Sequence, residues 1–259
     1  MNQERAWADR SILVTGAASG IGRAVCTLLI ESGARVAAID QDGSRLDELR
    51  AELGSELRPC VFDVTQVEAW DACVERYERE WGPVDGLVYA AGRLVPALLC
   101  DAALNRHALQ AVFDVHVMGL WGAARAVGRR MKQRGRGAIV AVTSNAGRTP
   151  RLNMGAYPAS KAAADMLVQC LALELGPSGI RVNAVAPGST DTPLLGDLLA
   201  GRGESSLVRG DLASFRTGIP LGRIAAPLDV AYAVQFLLSE RARHITAHIL
   251  RVDGGATWS

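Results

Sequence analysis

Tyr157 and Lys161 stand four residues apart, and Ser144 lies upstream of them. Those residue types suit proton transfer at an alcohol or carbonyl oxygen. Four residues is about one helical turn, so the two side chains share a face. An ammonium beside a phenol favours the phenolate and lowers its pKa. A phenol tuned in this way acts as a general base near neutral pH, and a serine hydroxyl can hold the reacting oxygen in line. The competing reading is an amphipathic helix with a tyrosine and a snorkelling lysine. Lysine usage weighs against that reading. The chain carries 28 basic residues, and only Lys132 and Lys161 are lysines. A compact ammonium with a tunable pKa is what arginine cannot offer.

A second constellation lies near the N-terminus. The run SILVT leads into Gly16-Ala17-Ala18-Ser19-Gly20-Ile21-Gly22 and then into an amphipathic stretch. Glycines between a strand and a helix permit a tight turn and let backbone N–H groups approach a pyrophosphate. Asp40 follows Gly22 by 18 residues, at the end of the next apolar run. A carboxylate there accepts hydrogen bonds from ribose hydroxyls and repels a 2′-phosphate. The residue before Gly20 is Ser19 rather than a basic one. Both features predict NAD rather than NADP as cofactor.

Alternating strands and helices must position these groups. Strands are expected at Ser11–Thr15, Arg35–Asp40, Arg58–Asp63, Gly86–Ala90, Ala138–Thr143, Arg181–Ala186 and His248–Val252. Several are apolar almost throughout, as strands covered on both faces should be. Helices are expected at Gly22–Ser32, Ser44–Leu53, Val67–Trp81, Leu104–Gln133, Ala156–Leu175 and Leu228–Ser239. The alternation predicts parallel βαβ units wound into one α/β domain, a doubly wound parallel sheet (Rossmann fold) of about seven strands. The irregular stretch 194–218 is long for a connection and is expected to be a substrate lid.

Composition excludes other classes. Over 259 residues, 49% are hydrophobic and 21% charged, and the net charge is +1. These values describe a globular chain without the basic excess of a nucleic-acid binder. No apolar run is long enough to span a membrane, and MNQERAWADR lacks the apolar core of a signal peptide. Five scattered cysteines without a CxxC argue against a disulfide framework or a metal site and for a cytoplasmic protein.

TGAASGIG, the AAG of Ala90, Ala91 and Gly92, the Ser144–Tyr157–Lys161 set and Pro187-Gly188 together resemble the short-chain dehydrogenase/reductase family, over essentially the whole chain. The resemblance implies that Tyr157 is the acid/base, that Ser144 orients substrate, and that Lys161 binds the nicotinamide ribose. A nicotinamide cation would lower the phenol pKa further. The resemblance also implies that Asp63 and Val64 flank the adenine, that Pro187, Gly188, Thr190 and Thr192 lie on the nicotinamide side, and that the protein is a homotetramer. One position departs from the pattern. Where the family commonly has an asparagine that helps a water-linked proton relay, FDVHVMGLWG presents His116. Its imidazole either serves that relay or is a buried, satisfied histidine; spacing leaves both open.

Thr149-Pro150-Arg151 with Met154, PGSTDT, IPLGRIAAP and the HIT at His244–Thr246 resemble one branch of the family, the 2,3-dihydro-2,3-dihydroxybenzoate dehydrogenases. That implies a cyclic carboxylic acid as substrate. Arg151, with Arg148 or Arg93, is expected to receive the carboxylate, and Met154 and Ser189 are expected beside the ring. Alternatives are a dihydro-3-hydroxyanthranilate dehydrogenase, another cyclic-alcohol dehydrogenase or a 3-oxoacyl-type reductase. Asp40 speaks against the last, which would draw on NADPH.

Overall fold

The computed structural model describes residues 7, 8, 10–102, 104–199 and 205–258, the side chains of 197–199 excepted. Among these residues the strands are β1 (Ser11–Thr15), β2 (Arg35–Asp40), β3 (Leu57–Val61), β4 (Gly86–Tyr89), β5 (Gly137–Val142), β6 (Ile180–Pro187) and β7 (Ile249–Val252). They form one sheet in the order β3-β2-β1-β4-β5-β6-β7. Every pairing is parallel. The strand order reverses between β1 and β4, and open α/β sheets bind ligands outside such a switch point. The expected strand 58–63 is shorter than predicted. Pro59 has no N–H to donate, and β3 is an edge strand, which tolerates it.

Strand residues alternate between two cores. On one face Ile12, Val14, Val36 and Val140 pack with Leu29 of α1 (Gly20–Glu31), Leu46 and Leu49 of α2 (Gly43–Leu53), and Val234 of a later helix, Pro227–Leu238. On the other, Leu13, Ile39, Leu87 and Ile139 pack with Trp70 and Val74 of α3 (Ala69–Trp81) and with Leu120, Val127 and Val168. Burial on both faces is why these strands read as apolar runs.

The long helix expected over 104–133 is three pieces. They are α4 (Arg106–Phe113), a π-helical turn at Asp114–Gly119, and α5 (Leu120–Arg134). Tyr89, at the end of β4, donates its hydroxyl to the Val115 carbonyl at 2.6 Å. A Cβ on Gly119 would meet that hydroxyl oxygen at 2.2 Å. The tyrosine thus inserts where glycine leaves room and takes a carbonyl from the helical ladder, which is a recognised cause of such bulges. The turn carries His116.

After α6 (Ala156–Leu175), the stretch expected to be a lid begins within α7 (Pro193–Leu199) and continues through α8 (Ser205–Arg209) and a short 3-10 turn. Its residues 200–204 lie outside the described ones. The helix Pro227–Leu238 is α9.

Candidate active site

The glycine turn sits at the switch point, on the N-terminus of α1. Gly16 and Gly20 have φ of +64° and +51°, the left-handed region that glycine enters without strain. A Cβ on Gly22 would lie 2.0 Å from the Gly16 carbonyl oxygen. Thr15 Oγ1 accepts the backbone N–H of Ala90 at 3.0 Å and of Ala91 at 3.1 Å, tying the turn to the end of β4. Ser19 caps α1 in an extended conformation with its side chain unused for capping. A groove runs across this turn. It is lined by Gly16, Ser19, Gly20, Ile21 and Gly22 at its centre, and by Asp40, Asp63, Val64 and Ala90–Gly92 along its sides. Asp40 Oδ2 accepts the Ala18 N–H at 3.1 Å, which fixes its carboxylate at the groove's edge. Asp63 is oriented by Thr65, whose N–H and hydroxyl both donate to Oδ1 at 2.9 Å. Glycines that only hydrogen would fit, a helix N-terminus and a terminal carboxylate are what a dinucleotide requires.

A second cleft continues from the groove, sharing Ile21, Ala90, Gly92, Thr192 and Leu194 with it. Ser144, Tyr157 and Lys161 line it, with Pro187, Gly188, Ser189 and Thr190 on the facing side. Ser144 follows β5, and its Oγ accepts the Ala146 N–H at 3.1 Å. Tyr157 and Lys161 share one face of α6, as their spacing predicts. Lys161 Nζ donates to the Val142 carbonyl at 3.0 Å and lies 5.5 Å from the centre of the Tyr157 ring.

The expected electrostatics need one correction. Burial holds the Tyr157 hydroxyl above the usual phenol range, and the hydrogen bond with Ser144 only partly opposes it. Lys161 does not lower it in the protein alone. Burial pulls the ammonium itself down to about 8, against the attraction of Asp165 one turn on. Burial thus penalises the charged form of each group, the phenolate and the ammonium, by more than Ser144 and Asp165 stabilise them.

His116 is 1% exposed. Its Nε2 accepts the Arg93 backbone N–H at 3.0 Å, so the ring proton resides on Nδ1. Nδ1 donates to Ser160 Oγ at 2.7 Å, and Ser160 donates to the Tyr157 carbonyl at 2.8 Å. The ring meets the Tyr157 ring edge-on, with centroids 5.3 Å apart. Burial, reinforced by Lys161, drives the imidazole pKa well below its ordinary value, so it is neutral. Both ring nitrogens are committed to the protein.

Of the expected substrate residues, Arg151, Met154 and Ser189 line the cleft. Arg148 does not; it is exposed beyond the short turn after Ser144. Arg93 lies in the dinucleotide groove instead. Sequence reasoning missed three residues. Arg216 enters the cleft from the expected lid, with Nη2 3.9 Å from the Met154 sulfur. Asn145 accepts from Arg151 Nη2 at 3.4 Å and donates to Asp253 Oδ2 at 3.2 Å. Asp253 is held in turn by Thr257 at 2.6 Å. An arginine within the irregular stretch and an acid just after β7 were the available signals. Burial, with Arg216 nearby, lowers the Arg151 pKa.

Comparison with known proteins agrees with this architecture. A family model described as enoyl-(acyl carrier protein) reductase matches residues 16–257. A 2,3-dihydro-2,3-dihydroxybenzoate dehydrogenase of Bacillus subtilis (strain 168) is 45% identical over 248 residues, 94% of each chain. A vibriobactin-specific 2,3-dihydro-2,3-dihydroxybenzoate dehydrogenase of Vibrio cholerae is 41% identical over 254 residues, 96% of each chain. Among solved structures, a 7α-hydroxysteroid dehydrogenase complexed with NADH and 7-oxo glycochenodeoxycholic acid superposes with a TM-score of 0.90 at 28% identity, covering 100% of this chain and 99% of that one. With matches of this extent to its sequence and fold, the chain belongs to the short-chain dehydrogenase/reductase family and is an oxidoreductase.

Proposed function

We propose that the protein oxidises a ring alcohol of a dihydroaromatic carboxylic acid with NAD, converting 2,3-dihydro-2,3-dihydroxybenzoate to 2,3-dihydroxybenzoate as in siderophore-type catechol biosynthesis. The observation that carries this reading is a pair of guanidinium groups, Arg151 and Arg216, lining the same cleft as Ser144, Tyr157 and Lys161. Two cations beside a half-apolar cleft suit an anionic ring, with charge-assisted contacts to its carboxylate. The names of the two relatives favour the same substrate. Asp40 favours NAD, through ribose hydroxyls and against a 2′-phosphate, and the NADH in the steroid dehydrogenase is consistent with it.

The nicotinamide supplies the hydride acceptor when bound. The chain supplies the rest. Gly16–Gly22 and the N-terminus of α1 receive the pyrophosphate, and Asp63 and Val64 flank the adenine. Pro187, Gly188, Thr190 and Thr192 border the nicotinamide end. Lys161 reaches the ribose hydroxyls from its seat on the Val142 carbonyl. Ser144 holds the alcohol oxygen; Tyr157 Oη, as the phenolate that a bound nicotinamide cation would favour, accepts its proton, and the carbon-bound hydrogen departs as hydride. The resulting ring ketone shifts a ring proton to oxygen and becomes a catechol, so aromatisation drives the reaction forward. Leu194, Leu195 and Arg216 bring the 194–218 stretch to the cleft as a substrate lid. We also infer a cytoplasmic homotetramer; no described helix is long and apolar enough to cross a membrane.

The test is NAD reduction with the dihydrodiol acid, run beside NADP and beside Arg151→Ala. Wild type should prefer NAD. Arg151→Ala should lose roughly 1.5–3 kcal/mol of kcat/KM on the acid, the scale of a hydrogen bond to a charged group, and far less on a neutral cyclic alcohol. Equal losses on both substrates would remove Arg151 from carboxylate recognition.

A further inference from the structure

Outside the reaction cleft, Cys60 on β3 and Cys73 on α3 bring their sulfur atoms to 3.2 Å. Both are half-buried, on the edge strand and the helix that covers it. Either thiol can donate to the other sulfur; that contact, with Arg76 nearby, lowers the Cys60 pKa. The same contact and burial raise that of Cys73. The pair therefore has an attacking sulfur and a resolving one. The remaining cysteines stand apart: Cys26 is buried, and Cys100 and Cys170 are exposed.

What lies between the two sulfurs gives the pair its consequence. The intervening segment includes Phe62, Asp63, Val64 and Thr65, which line the dinucleotide groove where the adenine would sit. Trp70 braces that wall, edge-on to Phe62 at 4.8 Å and donating Nε1 to the Val64 carbonyl at 3.2 Å. A disulfide has an S–S distance of about 2.05 Å, so bonding requires the sulfurs to close by roughly 1 Å. That movement draws α3 against β3 and displaces the segment hung between them.

We propose that Cys60 and Cys73 are a peroxide-oxidisable dithiol whose disulfide closes a covalent loop around the adenine-side wall and weakens dinucleotide binding. The effect on binding rests on the groove being the NAD site, as argued above; the bond itself does not. The Cys60 thiolate attacks a peroxide oxygen, breaking the O–O bond and releasing hydroxide, to give a sulfenic acid. The Cys73 sulfur then attacks Cys60 Sγ and expels the sulfenic oxygen, which leaves as water with the available protons. Two thiols lose two hydrogens in total, and one hydrogen peroxide becomes two waters. A thiol reductant reverses the bond.

The experiment treats full-length wild type, Cys60→Ser and Cys73→Ser with hydrogen peroxide. Cross-linked peptides are read by mass spectrometry, and affinity by NADH fluorescence titration before and after reductant. Wild type should form the internal Cys60–Cys73 link, lose affinity severalfold and recover it on reduction. Either serine variant should keep its affinity through the treatment, so one that folds suffices. Oxidation of Cys100 and Cys170 without the internal link overturns the proposal, as does a link that leaves NADH affinity unchanged. Reduced wild type that fails to bind NADH would instead fault the groove assignment, while the cross-link remains readable.

Discussion

At the scale of single residues, charge placement in the cleft sets two expectations. Lys161 has its pKa pulled from 10.5 to about 8 by burial. Between those values the unfolded chain binds more protons than the folded one, so this group makes stability rise with pH over that window. At 1.36 kcal/mol per pKa unit the gain reaches about 3 kcal/mol. Tyr157, with its pKa raised, acts in the opposite sense: the unfolded chain loses that proton first, so its contribution falls above about pH 10. Denaturant unfolding of wild type and Lys161→Met, compared from about pH 7.5 to 9.5, should show a steeper rise in wild type; parallel curves would mean that Lys161 is not strained by burial. His116 gives the other expectation. Asparagine offers one acceptor for the Arg93 N–H and one donor for Ser160, so His116→Asn should keep most of the activity. His116→Leu takes the acceptor from the Arg93 N–H and the donor from Ser160 Oγ, at about 1–3 kcal/mol for a buried group left unpaired, and should lose stability and turnover together. Because the imidazole is neutral, the pH profiles of wild type and His116→Asn should coincide. A profile that loses a limb near pH 6–7 in the variant would return His116 to a proton relay.

At the scale of elements, the strand–turn–helix unit of β1 and α1 is the most exacting. A Cβ at Gly22 would fall 2.0 Å from a backbone oxygen that has no flexible side chain to yield. Gly22→Ala should therefore displace the turn, raising the NAD KM by at least tenfold, about 1.4 kcal/mol, and lowering the melting temperature. Calorimetry and NAD kinetics on one preparation check both effects; an unchanged KM would separate the turn from the cofactor. This unit was legible in the sequence, to within two residues at the start of α1, because its determinants are contiguous. Glycines, an apolar strand and a terminal acid stand within a few dozen residues of one another. The break in the long fourth helix was not legible, because its cause is distant. Tyr89 belongs to a strand 26 residues before the carbonyl it captures, and an unbroken apolar periodicity conceals that. Arg216 was missed for the same reason: the chain after α8 brings it to a cleft whose other walls include Ser144 after β5, Tyr157 on α6 and Pro187 at the end of β6; Asp253, in the turn after β7, reaches that cleft only through Asn145. The Tyr157–Lys161 spacing was read correctly while its electrostatics were not, since spacing carries no information about desolvation.

At the scale of the whole molecule, several large apolar side chains of the described residues stand exposed, and some of them gather on helix faces. One such surface lies on the π turn, α5 and α6, where Met118, Trp121, Met166 and Leu173 are exposed, Leu173 at 76%. A second is a stripe on α9, where Leu228, Tyr232 and Phe236 recur every four residues and Tyr232 is 55% exposed. Exposed apolar surface of this kind marks interaction sites. A closed assembly from two different self-complementary patches is a tetramer with dihedral symmetry, each patch forming its own isologous interface. The homotetramer we infer would therefore come apart in two separable ways. Leu173→Arg sets like charges against each other across a two-fold axis at the first surface. Tyr232→Arg does so at the second. Each change lies outside both clefts and on a helix face already exposed, so the fold should tolerate it. Light scattering after gel filtration should find wild type as tetramers, either single variant as dimers and the double variant as monomers. If Leu173→Arg leaves the tetramer whole while Tyr232→Arg takes it directly to monomers, then the α5–α6 surface is not an interface, and its exposed side chains require a different partner.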